Sequence, residues 1–438
     1  MVFPQSDIIL MSNGPGELLT WVRPLARRLH GDLASTPALS AARLHLVLTP
    51  CPHAHGQEAA TAAALGVFDH VVPARFFWRL LLQPGRYRRW RPQGVVVFLG
   101  GDQLWAVLLA ARLGYRHVCY AEWVARWPRW CDRIAAMGPT AYGRVPGRWR
   151  SRAQIVGDLM ADISPEPGAS PPAQPASPAT IALLPGSKPA KLRLGVPFML
   201  ATAEKLHQRH PDCRFLLPLA PTVRCQDLLR FAGPQNPLAA TFGASAVRLE
   251  APSPSRPHWS LCTATGVRIA VADHHPAHDQ LRRCTMALTT VGANTAELGA
   301  LAVPMLVLLP TQHPHVIGAT GDGALGLLSR FPLLGRVIAM VAVSMALRRG
   351  SGLAWPNLQA GRMVVPERIG PITPTQIAQE VLALLRRPAT LETMATALRQ
   401  LRGPGGATAA LSAVVMEVLR LQVHYRRGRP LPPVAERS

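Results

Sequence analysis

The residues in this chain best suited to chemistry sit in short glycine-containing turns, each placed just after an apolar run. Gly292-Ala293-Asn294-Thr295 follows Met286–Thr290, which reads as a short buried strand, and precedes Ala296–Leu301, whose Ala, Leu and Glu content favours helix. Such a turn aims backbone N–H groups and the positive end of a helix at whatever lies in front of it, so it suits an anion such as a diphosphate. The Asn294 and Thr295 side chains add hydrogen-bonding groups. Small residues that only let helix and strand pack closely give the same pattern. Glu297 either caps its own helix or reaches a ribose diol, and the residues alone leave both open.

Three more turns follow the same plan. Ile8–Met11 runs into Ser12-Asn13-Gly14-Pro15-Gly16 and a helix Glu17–Leu29, where Glu17 either complements the helix dipole or acts on a substrate. Val95–Leu99 ends in Gly100-Gly101-Asp102-Gln103 ahead of a helix from Leu104 to Leu113; Asp102 is placed to accept a proton or, alternatively, to cap that helix. Ile181–Leu184 leads into Pro185-Gly186-Ser187-Lys188, half of a phosphate loop, and the missing remainder disfavours a P-loop ATPase. Glu122 stands at the end of a further strand, Val118–Tyr120. Asp273, His274, His275 and His278 cluster without a second ligand group at a supporting spacing, so no metal site is expected.

The elements that must hold these turns alternate strand and helix, the pattern of doubly wound α/β domains. A chain of 438 residues, 48% of them hydrophobic, suits two such domains with real cores. Ser164–Pro178, SPEPGASPPAQPASP, reads as a linker. The expected division is an N-terminal domain over 1–163, linker 164–179, a second domain over 180–402, a helix over 403–425 packing back on the first domain, and a disordered tail over 426–438. The net charge of +23 predicts an anionic partner: nucleic acid, acidic phospholipid or a phosphorylated substrate. The 7 cysteines contain no CxxC pair, which suggests a reduced compartment.

No secretory signal is read at the N-terminus, and no apolar run reaches the roughly 18 residues a membrane-spanning helix needs. The nearest, Gly323–Leu347, is broken by Arg330, Pro332 and Arg336. Phe76–Trp90, FFWRLLLQPGRYRRW, mixes Phe76, Phe77, Trp78 and Leu81 with arginines, as a segment lying on an anionic membrane would. A core helix followed by a basic loop is the alternative. RNA stacking ranks last, because no accompanying RNA-binding motif is present.

Two doubly wound domains with glycine turns facing a shared cleft is the layout of GT-B nucleotide-sugar enzymes. Six segments, in order, resemble the lipid-A-disaccharide synthase family: SNGPGELLTWVRPLARRL (12–29), VVVFLGGDQLW (95–105), QIVGDLMADISP (154–165), LLPGSKPAKLRLGVPFMLATAEKL (183–206), VGANTAELGALAVPMLV (291–307) and WPNLQAGR (355–362). The resemblance implies inverting transfer of an acylated glucosamine from a UDP-diacylglucosamine-type donor to an acylated glucosamine 1-phosphate or related lipid. It places the enzyme peripherally on the cytoplasmic membrane face, with no metal or other cofactor and no nucleic-acid partner, and a homodimer is compatible with it.

By the same resemblance, Gly186, Ser187, Lys188, Gly292, Asn294, Thr295, Glu297, Asn357 and Arg362 bind the UDP-sugar, while Asn13, Gly14 and Gly16 form the acceptor-side turn. Asp102 matches the family's essential aspartate, and Glu17 replaces a shorter carboxylate. Ala121-Glu122-Trp123 stands where the family carries a Ser-Pro and Trp-rich motif. A UDP-sugar epimerase of the same architecture and a noncatalytic membrane or nucleic-acid binder are the alternatives.

Overall fold

The computed structural model describes residues 5–14, 17–51, 56–163, 178–187, 189–220, 223–243, 246–254, 258–312, 352–424, 431, 432 and 434. Gly16, Lys188, the segment Gly323–Leu347 and all but the last two residues of the expected linker lie outside these. The chain divides into two compact units, Met1–Pro167 together with Gly403–Ser438, and Gly168–Arg402.

In the first unit the strands are β1 (Ser6–Ser12), β2 (Arg43–Leu48), β3 (His70–Val72), β4 (Gln93–Phe98), β5 (Arg116–Ala121), β6 (Arg133–Ala136) and β7 (Ala153–Ile155). They form a wholly parallel sheet in the order β3-β2-β1-β4-β5-β6-β7. Both faces are covered, which is why the central strands are continuous apolar runs. Ile8, Leu10, Leu44, Leu46, Val95 and Val97 face one core. Their neighbours Ile9, Met11, Val47, Val96 and Phe98 face the other, as the two-residue strand period requires.

Helix α1 (Arg23–Ala34) buries Leu25, Ala26, Leu29 and Leu33 against the first face. The C-terminal helix, Ala407–His424, joins it there through Leu411, Val414, Val415 and Val418. On the opposite face lie α2 (Phe77–Leu82) and α3 (Gln103–Leu113). Phe77 is 0% exposed and Leu81 6%, so these two belong to the core and not to a membrane-facing surface. The helix repeat explains the correction: residues three and four apart share a face, so Phe77, Leu80 and Leu81 turn inward while Trp78 and Leu82 turn out. Phe76 is half-buried against the same core, with the Arg75 guanidinium 4.9 Å over its ring.

The expectation for the tail also changes. Leu431 is buried in the first core, the Pro432 carbonyl accepts from Arg133 Nη2 at 2.8 Å, and Val434 N donates to Ser151 O at 2.9 Å. The described tail residues are therefore packed.

At the N-terminal edge of this sheet Asp7 is wholly buried and accepts hydrogen bonds from Arg43, His45, Arg91 N and Tyr115. Burial works against its charge, but the His45, Arg43 and Arg91 hydrogen bonds outweigh that and hold its carboxyl well below the usual range.

The second unit contributes β8 (Thr180–Leu184), β9 (Arg214–Pro218), β10 (Ala246–Glu250), β11 (Trp259–Thr263), β12 (Arg268–Ala272), β13 (Met286–Thr290), β14 (Met305–Pro310) and β15 (Glu367–Gly370). Their order is β10-β11-β12-β9-β8-β13-β14-β15, parallel except where β11 meets β10 and β12. Both sheets thus contain the doubly wound order 3-2-1-4-5-6, the second with two antiparallel strands added at one edge. Helices α4 (Pro189–Arg209), α5 (Ala293–Ala300), α6 (Trp355–Ala360) and α7 (Pro374–Leu385) follow in the chain. Helix α5 begins at Ala293, earlier than its composition suggests, so Asn294 and Thr295 lie in its first turn and the connection from β13 is only Val291-Gly292.

Candidate functional site

Ligands of doubly wound sheets bind beyond the C-terminal ends of the strands where the strand order reverses. That point lies between β8 and β13 in the second unit and between β1 and β4 in the first. The glycine turns singled out by sequence follow these four strands.

In the second unit the turns after β8 and β13 close on one side chain that sequence reasoning passed over, Lys191. Its ammonium donates to Val291 O at 2.6 Å. A Cβ on Gly292, whose φ is +146°, would stand 2.9 Å from Lys191 Nζ, and one on Gly186 would stand 3.0 Å from Lys191 Cβ and Cδ. Only glycine lets the two turns come so near the lysine stem. Lys191 occupies the first turn of a 21-residue helix, where a cation opposes the helix dipole at a cost of up to about 1 kcal/mol. An anion seated between the turns reverses that sign. Thr290 Oγ1 is buried beside Gly186 without a hydrogen-bond partner among the described residues.

Two of the expected donor residues hold these turns rather than face a ligand. Thr295 is 1% exposed, and its hydroxyl donates to Gly292 O at 2.8 Å while accepting from Trp355 N at 3.0 Å. It fixes the start of α5 and ties α6 to it. Asn357 is 0% exposed: its Nδ2 donates to Val365 O and Glu367 Oε1, and its Oδ1 accepts from Val364 N and Val365 N. With both ends of its amide engaged, Asn357 shapes the turn that carries Arg362, and Arg362 is itself exposed. Glu297 pairs with His278 Nε2 at 3.0 Å. Gly186, Ser187 and Gly292 stand in the connections that follow β8 and β13, and Asn294 lies one residue into α5.

The matching edge of the first unit is acidic. Ser12 Oγ donates to Glu17 Oε2 at 3.1 Å, and a Cβ on Gly100 would fall 2.0 Å from that same oxygen. The Glu17 carboxylate therefore lies over the end of β4, in space that glycine leaves empty. Asp102 accepts from Leu104 N at 2.9 Å and caps α3, with its side chain exposed. Burial pushes the Glu122 carboxyl up to about 7, with the charges of Glu17 and Asp158 adding to the effect. Burial likewise pushes Asp158 up to about 6; the Met160 N–H opposes this and Asp162 adds to it. Asn13 Oδ1 and Thr49 Oγ1 are buried at this edge and lack a hydrogen-bond partner among the described residues. Gly14 lies 3.7 Å, by its would-be Cβ, from the Glu17 carboxyl.

The sequence located Glu122 at a strand end but gave it no role, because a carboxylate's neighbours across a sheet are not visible in one strand. Lys191 carried a readable signal: a basic residue in the first turn of a long helix. Among the described residues no group of three or more His, Cys, Asp or Glu side chains is arranged to hold a metal ion. Nor is any described helix long and apolar enough to cross a membrane.

No family model matches the chain. It is 30% identical over 246 residues to a lipid-A-disaccharide synthase of Anaeromyxobacter dehalogenans, covering 56% of this chain and 50% of the relative. A lipid-A-disaccharide synthase of Geobacter sulfurreducens is 25% identical over 247 residues, with 56% and 50% covered. The chain thus spans about half the length of the curated relatives it matches. Among solved structures, a putative UDP-N-acetylglucosamine 2-epimerase from Listeria monocytogenes superposes with a TM-score of 0.51 at 11% identity, covering 98% of this chain and 99% of that one. The S. aureus MnaA structure with UDP gives 0.50 at 11% identity, covering 96% and 97%. These likenesses, with two doubly wound sheets of matching strand order, make the fold GT-B.

Proposed function

We propose that the protein is an inverting glycosyltransferase that takes an acylated glucosamine from a UDP-sugar and passes it to a hydroxyl of an acylated glucosamine 1-phosphate or a related lipid. The observation that carries this reading is the pair of glycine turns at the strand-order reversal of the second sheet, one packed on the stem of Lys191 and the other on its ammonium. Backbone N–H groups, two helix starts and a cation meet there, which is the chemistry a departing diphosphate needs. Asn357 and Thr295 keep the turns in shape, Arg362 is available to the nucleotide from the turn after α6, and Glu297 with His278 suits a ribose diol. The acidic edge of the first sheet receives the acceptor hydroxyl, with Glu17 and Asp102 beside it.

A peripheral membrane seat fits a lipid acceptor. Trp78 is 48% exposed and Leu82 62%, and Arg75, Arg79, Arg86 and Arg89 are exposed around them. The names of the sequence relatives support the lipid substrate. The deciding experiment is incubation with UDP-diacylglucosamine and diacylglucosamine 1-phosphate, followed by mass spectrometry. A disaccharide with one UDP released per transfer is expected. Turnover of the UDP-sugar with no lipid present would make the protein an epimerase, and no UDP binding at all would make it a noncatalytic binder.

A further inference from the structure

Strands β1, β4 and β5 are consecutive neighbours in the first sheet, and their C-terminal ends carry Glu17, the Gly100-Gly101 pair and Glu122 in that order. The missing side chain at Gly100 is what admits the Glu17 carboxylate over the end of β4. Glu122 is the first residue beyond β5 and is half-buried. The ionisable groups bearing on it are Glu17 from the start of the first helical segment, Asp158 from the connection after β7, and Tyr120 from its own strand. Glu17 and Asp158 disfavour a negative charge at Glu122, whereas the Tyr120 phenol is held neutral by its own burial.

A second feature of this edge calls for a ligand rather than for charge alone. Thr49 is 1% exposed, and its hydroxyl has no partner among the described residues. It stands 2.8 Å from where a Cβ on Gly101 would be, beside Asn13, whose buried Oδ1 is likewise without a partner among them. A hydroxyl and an amide oxygen left open at Gly101, one residue from the glycine that holds the Glu17 carboxylate, match a polyhydroxylated ligand, each of whose O–H groups can both donate and accept.

We propose that Glu122, at the end of the strand next to the Gly100 clearing that holds the Glu17 carboxylate, is the group that removes the proton from the attacking acceptor hydroxyl. This rests on the glycosyl-transfer reading and names its base. As the hydroxyl oxygen bonds to the anomeric carbon, the bond from that carbon to the diphosphate oxygen breaks and its electron pair leaves with UDP. The hydroxyl proton passes to a Glu122 carboxylate oxygen. Burial and the neighbouring carboxylates make Glu122 a stronger base than a solvated carboxylate, with an affinity for protons matched to neutral pH. Asp102 differs in standing exposed, with one oxygen engaged by Leu104 N.

The test is the pH dependence of kcat/KM for transfer, alongside carboxyl titration by carbon NMR. In the unsubstituted protein the rate should rise with pH and level off near the Glu122 value of about 7. Glu122→Gln should lose about 10²-fold or more in rate, and the limb near neutrality with it. Glu122→Asp should keep a limb. Glu17→Gln should move the limb, and the Glu122 resonance, to lower pH, since a neighbouring negative charge has gone; a purely structural role would lower the rate without moving either. An unchanged limb in Glu122→Gln overturns the proposal, as does a Glu122 resonance titrating with ordinary carboxylates whether or not transfer occurs. Absence of transfer in the unsubstituted protein, with UDP bound, instead removes the functional reading and this role with it.

Discussion

Lys191 and Asn357 lie in the same unit and differ in what removing them should do. Lys191→Ala takes away a partly buried cation from the meeting point of two turns, so UDP affinity by calorimetry should fall by about 1–3 kcal/mol, with Lys191→Arg recovering part of the loss. Unchanged affinity in Lys191→Ala would take the diphosphate away from these turns. Asn357→Ala instead leaves the Val364 and Val365 N–H groups without their acceptor and takes one hydrogen bond from Glu367, which keeps those from Leu353 N and Ala354 N. It should lower stability by about 2–4 kcal/mol, read as a fall in Tm, whereas Arg362→Ala should leave Tm in place and weaken UDP alone. The sequence displayed Asn357 as a polar residue in a recognisable motif. It could not display that all its hydrogen bonds close within the same turn, and so the residue read as a ligand contact. Lys191 was overlooked for the complementary reason: its partner, Val291 O, lies a hundred residues away in the chain.

At the scale of elements, the long apolar strands were legible because a parallel sheet covered on both faces leaves an unbroken hydrophobic run. β1, β4, β8, β9 and β14 carry that mark over most of their length. The short β6 and β7, and the edge strands β10 and β15, are too brief or too polar to show it. Helix α2 shows the limit of composition most directly: six residues give the apolar content of a membrane-facing segment without enough turns to say which side faces in. The structure divides it, and the experiment divides with it. Trp78→Ser with Leu82→Ser should release the protein from anionic liposomes in flotation without lowering Tm. Phe77→Ser should lower stability by about 3 kcal/mol or more because it empties a core position and buries a hydroxyl. Retained flotation in the double variant would place the membrane contact elsewhere.

Over the whole molecule, the carboxylates at the two edges of the first sheet should bend the stability profile in opposite directions. Asp7 is held below the usual carboxylate range, so its contribution is complete above about pH 4 and is lost as pH falls toward its folded value. Glu122 and Asp158 are raised to about 7 and about 6, so the folded state binds more protons than the unfolded one and stability declines as pH rises from about 4 to 7. Tm should therefore peak in mildly acid solution. Asp7→Asn should remove the acid limb and Glu122→Gln should flatten the other; a Tm indifferent to Glu122→Gln at pH 8 would mean that carboxyl titrates normally. The C-terminal helix adds a consequence in time. Ser412 Oγ donates to Asp32 and Gln422 Nε2 to Gly94 O, so the core on one face of the first sheet is completed by residues synthesised after the whole second unit. On the ribosome, the earliest strands wait with an apolar face open through more than two hundred residues of elongation, and that interval is when this protein most needs a chaperone's cover.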